Sequence, residues 1–219
     1  MYRNQQYVRL HIAGLSLIAS LMLASCRPSA SDQSQVTSTK SARTSLATNA
    51  TVHHSNVDLQ IKSWTEIEQQ ILAHQGKVVV VDFWSTWCIP CMREFPNLVD
   101  LQNTYGDQVH CISVCLDYDG FAEEPPESKR ENVETFLKKV DGTTQNFLSS
   151  TKDLDVYQAI KIGAVPAVFV YDERGQLHSR FTDNTENKTG EKGFTYQTHV
   201  TPLVKKLLGK SVQTTVPES

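Results

Sequence analysis

Residues 77–84 (KVVVVDFW) are an unbroken apolar, β-branched run, and residues 87–91 (WCIPC) follow at once with two cysteines separated by two positions. A strand that is apolar on both faces needs packed layers above and below it, as a strand inside an α/β sheet has and an exposed hairpin does not. The next stretch, 92–105, places Phe95, Leu98, Val99 and Leu101 at helical spacing and closes at Gly106. The two cysteines therefore fall at a strand-to-helix junction.

The same alternation continues downstream. Residues 109–116 (VHCISVCL) read as a second strand, 129–140 as an amphipathic helix through Val133, Phe136, Leu137 and Val140, and 154–160 as a short helix. Residues 167–171 and 177–181 form strands joined by the hairpin signal Asp172-Glu173-Arg174-Gly175. A polar loop, 182–197, leads to a closing helix with Leu203, Val204, Leu207 and Leu208 on one side and Gly209 as its stop. Upstream, Ile61, Trp64, Ile67, Ile71 and Leu72 approximate one helical stripe. These elements predict an α/β three-layer sandwich, a central mixed β-sheet flanked by helices, over residues 58–209, with 210–219 as a flexible tail. The chain is 39% hydrophobic and 21% charged with a formal net charge of -3, which excludes disorder throughout and offers no basic footprint for nucleic acid.

The amino terminus reads as an address. Arg3 and Arg9 precede an apolar stretch from Ile12 to Leu23, too short for the roughly 20 residues of a membrane-spanning helix. It ends Leu23-Ala24-Ser25-Cys26, which resembles the lipobox of bacterial lipoproteins. That resemblance implies cleavage after residue 25, lipid on Cys26 and a location in the cell envelope; the other reading is ordinary cleavage near Ala24 with Cys26 left as a thiol. Residues 26–57 are Ser/Thr-rich without a period and read as a flexible linker reaching roughly 30 Å. His53 and His54 belong to it and read as solvated.

The chemistry is expected at Cys88 and Cys91. A cysteine at a helix N-terminus faces unpaired backbone N–H groups and the positive end of the helix dipole, which favour the thiolate. Pro90 fits just inside the helix start, where a missing N–H costs little. A Cys-x-x-Cys pair is also half of a zinc site, but the ligands to complete it are missing, since His110 and Cys111 are neighbours on a strand and point to opposite faces. A closed structural disulfide is the other alternative. Cys111 and Cys115 share one face of a strand about 13 Å apart, too far to bond each other, and read as buried thiols.

The segment 81–91 (VDFWSTWCIPC) resembles the active-site segment of thioredoxins, and its continuation Met92-Arg93-Glu94-Phe95-Pro96 resembles TlpA/ResA-like envelope members of that superfamily. Residues 162–170 (IGAVPAVFV) are similar to the family segment in which a cis proline faces the redox cysteines. The resemblance covers roughly residues 60–208 and implies a thiol-disulfide oxidoreductase without a cofactor or metal. In it Cys88 attacks a disulfide-bearing protein substrate, Cys91 resolves the mixed disulfide, and Asp82, matching a buried aspartate, takes the proton of Cys91. Pro166 and Val165 would offer a main-chain edge to substrate, with Trp87, Ile89 and Pro90 around it, Trp84 shaping the site and Pro96 kinking the helix. A membrane thiol donor would recharge the pair. Many TlpA/ResA-like proteins have an uncharged residue where this chain has Asp82, and the alternative reading of that position is a solvated strand end. Two rival classes fit less well. Peroxiredoxins have a proline seven residues before the attacking cysteine, where this chain has Val81, although Ser85 matches their pattern. Sco-like copper carriers have three residues between the cysteines rather than two.

Overall fold

The computed structural model describes residues 57–186, 190 and 192–214, with side chains to residue 209. The expected signal peptide 1–25, the lipid site Cys26 and nearly all of the linker lie outside the described residues, as does the end of the tail.

The elements run β1 (Leu59–Lys62), α1 (Trp64–Leu72), β2 (Val78–Trp84), α2 (Ile89–Tyr105), β3 (Val109–Cys115), α3 (Pro126–Lys139), β4 (Gln145–Ser149), α4 (Asp153–Ile160), β5 (Ala167–Tyr171), β6 (Leu177–Phe181), a π-helical turn (Tyr196–Val200) and α5 (Thr201–Thr214). They build one six-stranded sheet in the order β1-β4-β3-β2-β5-β6. The first four strands are parallel, β5 runs antiparallel to β2, and β6 antiparallel to β5. This is the expected mixed sheet. Every residue of β2 is buried, as its uninterrupted apolar run requires of a strand with neighbours on both edges and layers on both faces.

Strand alternation sorts the layers. Phe83 turns toward α1, its ring 5.9 Å from that of Trp64, and also meets Phe169 at 5.0 Å. Trp84 turns the other way and packs on Phe95 of α2 and Phe136 of α3, with centroids 5.0 and 4.9 Å away. Asp82, two residues before Trp84, shares the α2 face, and so do Cys111, Ser113 and Cys115 through the register Val80↔Cys111, Asp82↔Ser113 and Trp84↔Cys115. Cys111 and Cys115 are both buried free thiols.

The structure departs from the sequence reading in several places. Leu59–Lys62 is a strand, not the start of the first helix; that helix begins only at Trp64, where Ser63 and Glu66 form a reciprocal capping box, and Leu72 ends up exposed. The third helix starts at Pro126, earlier than expected, because proline is tolerated in the first turn. Strand β4 had no sequence signal. It is secured by Asn146, whose side-chain oxygen accepts from Ser113 (2.8 Å) and Thr144 (2.7 Å) and whose amide donates to the carbonyls of Gly142 and Thr144. Finally, Gly209 does not stop the last helix, which continues to Thr214, so the flexible tail cannot begin at residue 210. Gly209 sits in open space, and a single interior glycine costs a helix only about 1 kcal/mol. Among the described residues, no helix is long and apolar enough to cross a membrane.

Candidate active site

Cys88 caps α2. Its backbone is extended (φ -88°, ψ 93°), and its Sγ accepts a hydrogen bond from the N–H of Cys91 at 3.3 Å. The sulfur thus takes the place of the serine or aspartate oxygen that usually satisfies a helix's first free N–H groups. Ile89 and Pro90 complete the first turn, and Cys88 and Cys91 are joined by a disulfide across a Cα–Cα distance of 5.3 Å. Both cysteines are buried, Cys88 at 5% exposure and Cys91 at 2%. The exposed residues beside them in the chain are Trp87 (61% exposed), Ile89 (72%) and Pro90. Of the two tryptophans expected near the site, Trp87 therefore stands in solvent and Trp84 is core. Pro96 lies within α2 with its side chain exposed.

The loop leading into α2 is tied from across the sheet. Asp117, just beyond β3, accepts from the Thr86 N–H at 2.8 Å and from the Thr86 hydroxyl at 2.6 Å. Both oxygens of one carboxylate hold the residue two before Cys88.

Pro166 arrives from the other side. The antiparallel register Phe83↔Ala167 sets it level with Trp84, at the sheet end from which the cysteine loop emerges, and the Val165–Pro166 peptide is cis, as the family resemblance implies. Val165 is buried, and among the described residues its backbone enters no loop or turn hydrogen bond. Pro90 and Pro166 line one groove of about 710 Å³.

Asp82 is not a solvated strand end: it is 3% exposed. Its Oδ2 accepts a 2.6 Å hydrogen bond from the hydroxyl of Tyr196, which comes from the π-helical turn before α5 and is itself fully buried. Burial pushes the Asp82 carboxyl up from 3.8 to about 7, against the lowering effect of the Tyr196 hydrogen bond and with a further push from the charge of Glu94. Glu94 in turn accepts from the Tyr196 backbone N–H at 3.1 Å. Burial, and then the Asp82 charge, push the Cys111 thiol up as well; burial does the same to Cys115. Both are thereby held as protonated, unreactive thiols. Tyr196→Phe removes the one hydrogen bond that, among the described residues, favours the ionised Asp82, so the Asp82 carboxyl is expected to titrate higher still. Carboxyl carbon NMR through a pH series checks this, and an unmoved midpoint would mean that the hydroxyl contributes nothing.

Of the residues singled out from the sequence, Cys88 and Cys91 form the disulfide, Asp82 is buried and Val165–Pro166 carries the cis bond, whereas Asp117, Glu94 and Tyr196, which make the contacts above, were not singled out. Only Glu94 had a local signal, as part of the quoted continuation of the motif. A cysteine pair at the N-terminus of a helix that follows a buried central strand, with a cis proline just before the neighbouring antiparallel strand, defines a thioredoxin-like protein. Residues 57–196 match the family described as Redoxin, and the chain belongs to that family.

Among curated relatives, the thiol-disulfide oxidoreductase ResA of Geobacillus thermodenitrificans is 31% identical over 116 residues, 52% of this chain and 60% of that protein. The thioredoxin-like protein YneN of Bacillus subtilis is 26% identical over 120 residues, 55% of this chain and 65% of that protein. The matched segment therefore spans less than two thirds of either relative. Among solved structures, a thioredoxin-like protein from Porphyromonas gingivalis aligns with a TM-score of 0.47 at 23% identity, covering 62% of this chain and 78% of that one.

Proposed function

We propose that this chain is a thiol-disulfide oxidoreductase that reduces disulfides of envelope proteins through Cys88 and Cys91, held at a membrane by lipid on Cys26 and recharged by a membrane thiol donor. The observation that carries the reading is the Cys88–Cys91 pair itself: Cys88 caps α2 and accepts the Cys91 N–H, beside a groove shared with Pro166. That arrangement stabilises negative charge on Cys88 once the disulfide is opened. The relative named as a thiol-disulfide oxidoreductase supports the same chemistry.

In the reduced protein the Cys88 thiolate attacks one sulfur of the client disulfide, forming a mixed disulfide and releasing the other client sulfur as a thiolate. Cys91 then loses its proton to Asp82, which lies buried on the α2 face of the sheet, and attacks Cys88 Sγ. The second client sulfur leaves, the Cys88–Cys91 disulfide closes, and the client has gained two electrons and two protons. A raised carboxyl near 7 suits that task, because at neutral pH a good fraction is ionised to accept a proton yet basic enough to hold it. Trp87, Ile89 and Pro90 supply the exposed contact surface, and Val165 the backbone on which an extended client segment pairs.

The test is reduction of a disulfide-bonded protein by the full-length chain with excess small dithiol as donor. Turnover above the rate with dithiol alone is expected; a rate equal to the dithiol background would refute the enzyme reading.

A further inference from the structure

The groove beside the cysteine pair has a charge pattern that the redox chemistry does not require. Its walls bring Pro90 and Arg93 from the start of α2, Pro166 from the cis loop, and Asp183, Lys192, Phe194 and His199 from the segment between β6 and α5. Arg93 and Lys192 are both exposed, and neither belongs to an ion pair among the described residues. Asp183 is the single carboxylate among these lining residues, so the described lining carries an excess of positive charge on a chain whose formal net charge is -3. The excess is local, at the mouth of the site, and does not follow from the overall composition.

His199 adds a directed donor. The backbone N–H of Thr195 donates to its Nδ1 at 3.3 Å, which makes Nδ1 an acceptor, and the Thr198 hydroxyl lies 2.7 Å from the same atom. The neutral ring therefore carries its proton on Nε2. That N–H has no hydrogen-bond partner among the described residues. Two cations and a histidine whose Nε2–H is unpartnered among the described residues thus line one groove, together with Phe194.

We infer that this groove selects clients carrying an acidic side chain close to the cysteine they present, with Arg93, Lys192 and His199 receiving the carboxylate. The inference rests on the reductase reading and names its substrate class: an extended, acidic segment of a disulfide-bearing polypeptide. The polypeptide follows from the free backbone of Val165, which lies next to Pro166 at the groove and offers main-chain pairing to a strand-like client. The acidic side chain follows from charge complementarity, with Arg93 able to grip a carboxylate in two places and Asp183 set to repel a badly placed one.

Three disulfide-bonded peptides that differ only in one residue near the cysteine, Glu, Gln or Lys, test this with the full-length protein. At low salt the Glu peptide is expected to be reduced with a kcat/KM roughly 10-fold above that of the Lys peptide, with Gln between, and the gap is expected to shrink as salt is added. The double variant Arg93→Glu, Lys192→Glu is expected to reverse the order. Both positions are exposed, so the reversal reads out charge and not folding.

Binding of the same peptides with serine in place of cysteine, followed by Trp87 fluorescence, separates the two readings. If no peptide is reduced but the Glu peptide binds tightest and the double variant reverses that, the redox reading falls and the groove assignment stands. Equal kcat/KM for all three peptides, or a preference the double variant leaves untouched, overturns the groove assignment while the reductase reading stands. Glutathione disulfide reduced faster than the Glu peptide, in a manner that needs Arg93 and Lys192, overturns the polypeptide as occupant.

Discussion

Cys91→Ser is expected to accumulate a mixed disulfide between Cys88 and client protein, whereas Cys88→Ser is expected to form none and to drop disulfide reduction to the background rate. The asymmetry follows from position. Cys88 is the cap of α2 and is flanked by the exposed Trp87 and Ile89, while Cys91 sits inside the first turn of the helix and is the more buried of the two. The Cys91 amide remains present in Cys91→Ser, so the attacking sulfur keeps its donor at 3.3 Å and the first half of the exchange survives. Only resolution is lost. Non-reducing electrophoresis after acid quenching and alkylation shows both outcomes. Comparable mixed-disulfide yields from the two variants would refute the assignment of Cys88 as attacker. Cys111 and Cys115 are not expected to substitute for the missing partner, since both are wholly buried and held as protonated thiols.

Asp82→Asn is expected to make the protein more stable and slower. In the unfolded chain this carboxyl ionises near pH 4; in the fold, burial raises it to about 7. Between those values the folded state binds more protons than the unfolded state, so stability falls as pH rises through the window. It is fully present below about pH 4 and at its lowest above about 7. Three units correspond to about 4 kcal/mol, an upper figure that residual denatured structure reduces. Asparagine carries no charge to desolvate and its side-chain oxygen can still accept from Tyr196, so its stability should be flat over the same window. The gap should open from pH 4 and reach on the order of 2–4 kcal/mol by pH 8. Urea unfolding of the two oxidised proteins at several pH values measures it, and parallel pH profiles would count against a charged, buried Asp82. The same change removes the proposed acceptor for the Cys91 proton and is expected to slow resolution by roughly 100-fold, a typical contribution of general base catalysis. More stability with less activity is the trade expected where a buried charge is kept for its chemistry.

The parts of the fold that were readable in advance are those with a local code. The buried run of β2, the helical spacing in α2, the turn before β6 and the two-residue gap between the cysteines are each written within a few neighbouring positions. Strand β4 was not, because Gln145 and Asn146 interrupt its apolar pattern; its place depends on a polar network that only closes when Ser113 lies beside it. The extension of α5 past Gly209 was hidden for the converse reason, since a single glycine signal carries too little energy to end a helix with open space around it.

The sequence by itself determined the mixed α/β sheet and the cysteine pair at a strand-to-helix junction, because periodicity and spacing follow directly from strand and helix geometry; the family came from the resemblance of residues 81–96 and 162–170 to known segments. The tertiary structure alone decided what surrounds that pair. Tyr196 reaches Asp82 across 114 positions and Glu94 across 102, Asp117 grips Thr86 across 31, and Arg93 meets Lys192 and His199 in one groove only after α5 folds back onto the α2 face. Those meetings are set by sheet register and by the packing of helices on the sheet, so no pattern within a short window encodes them.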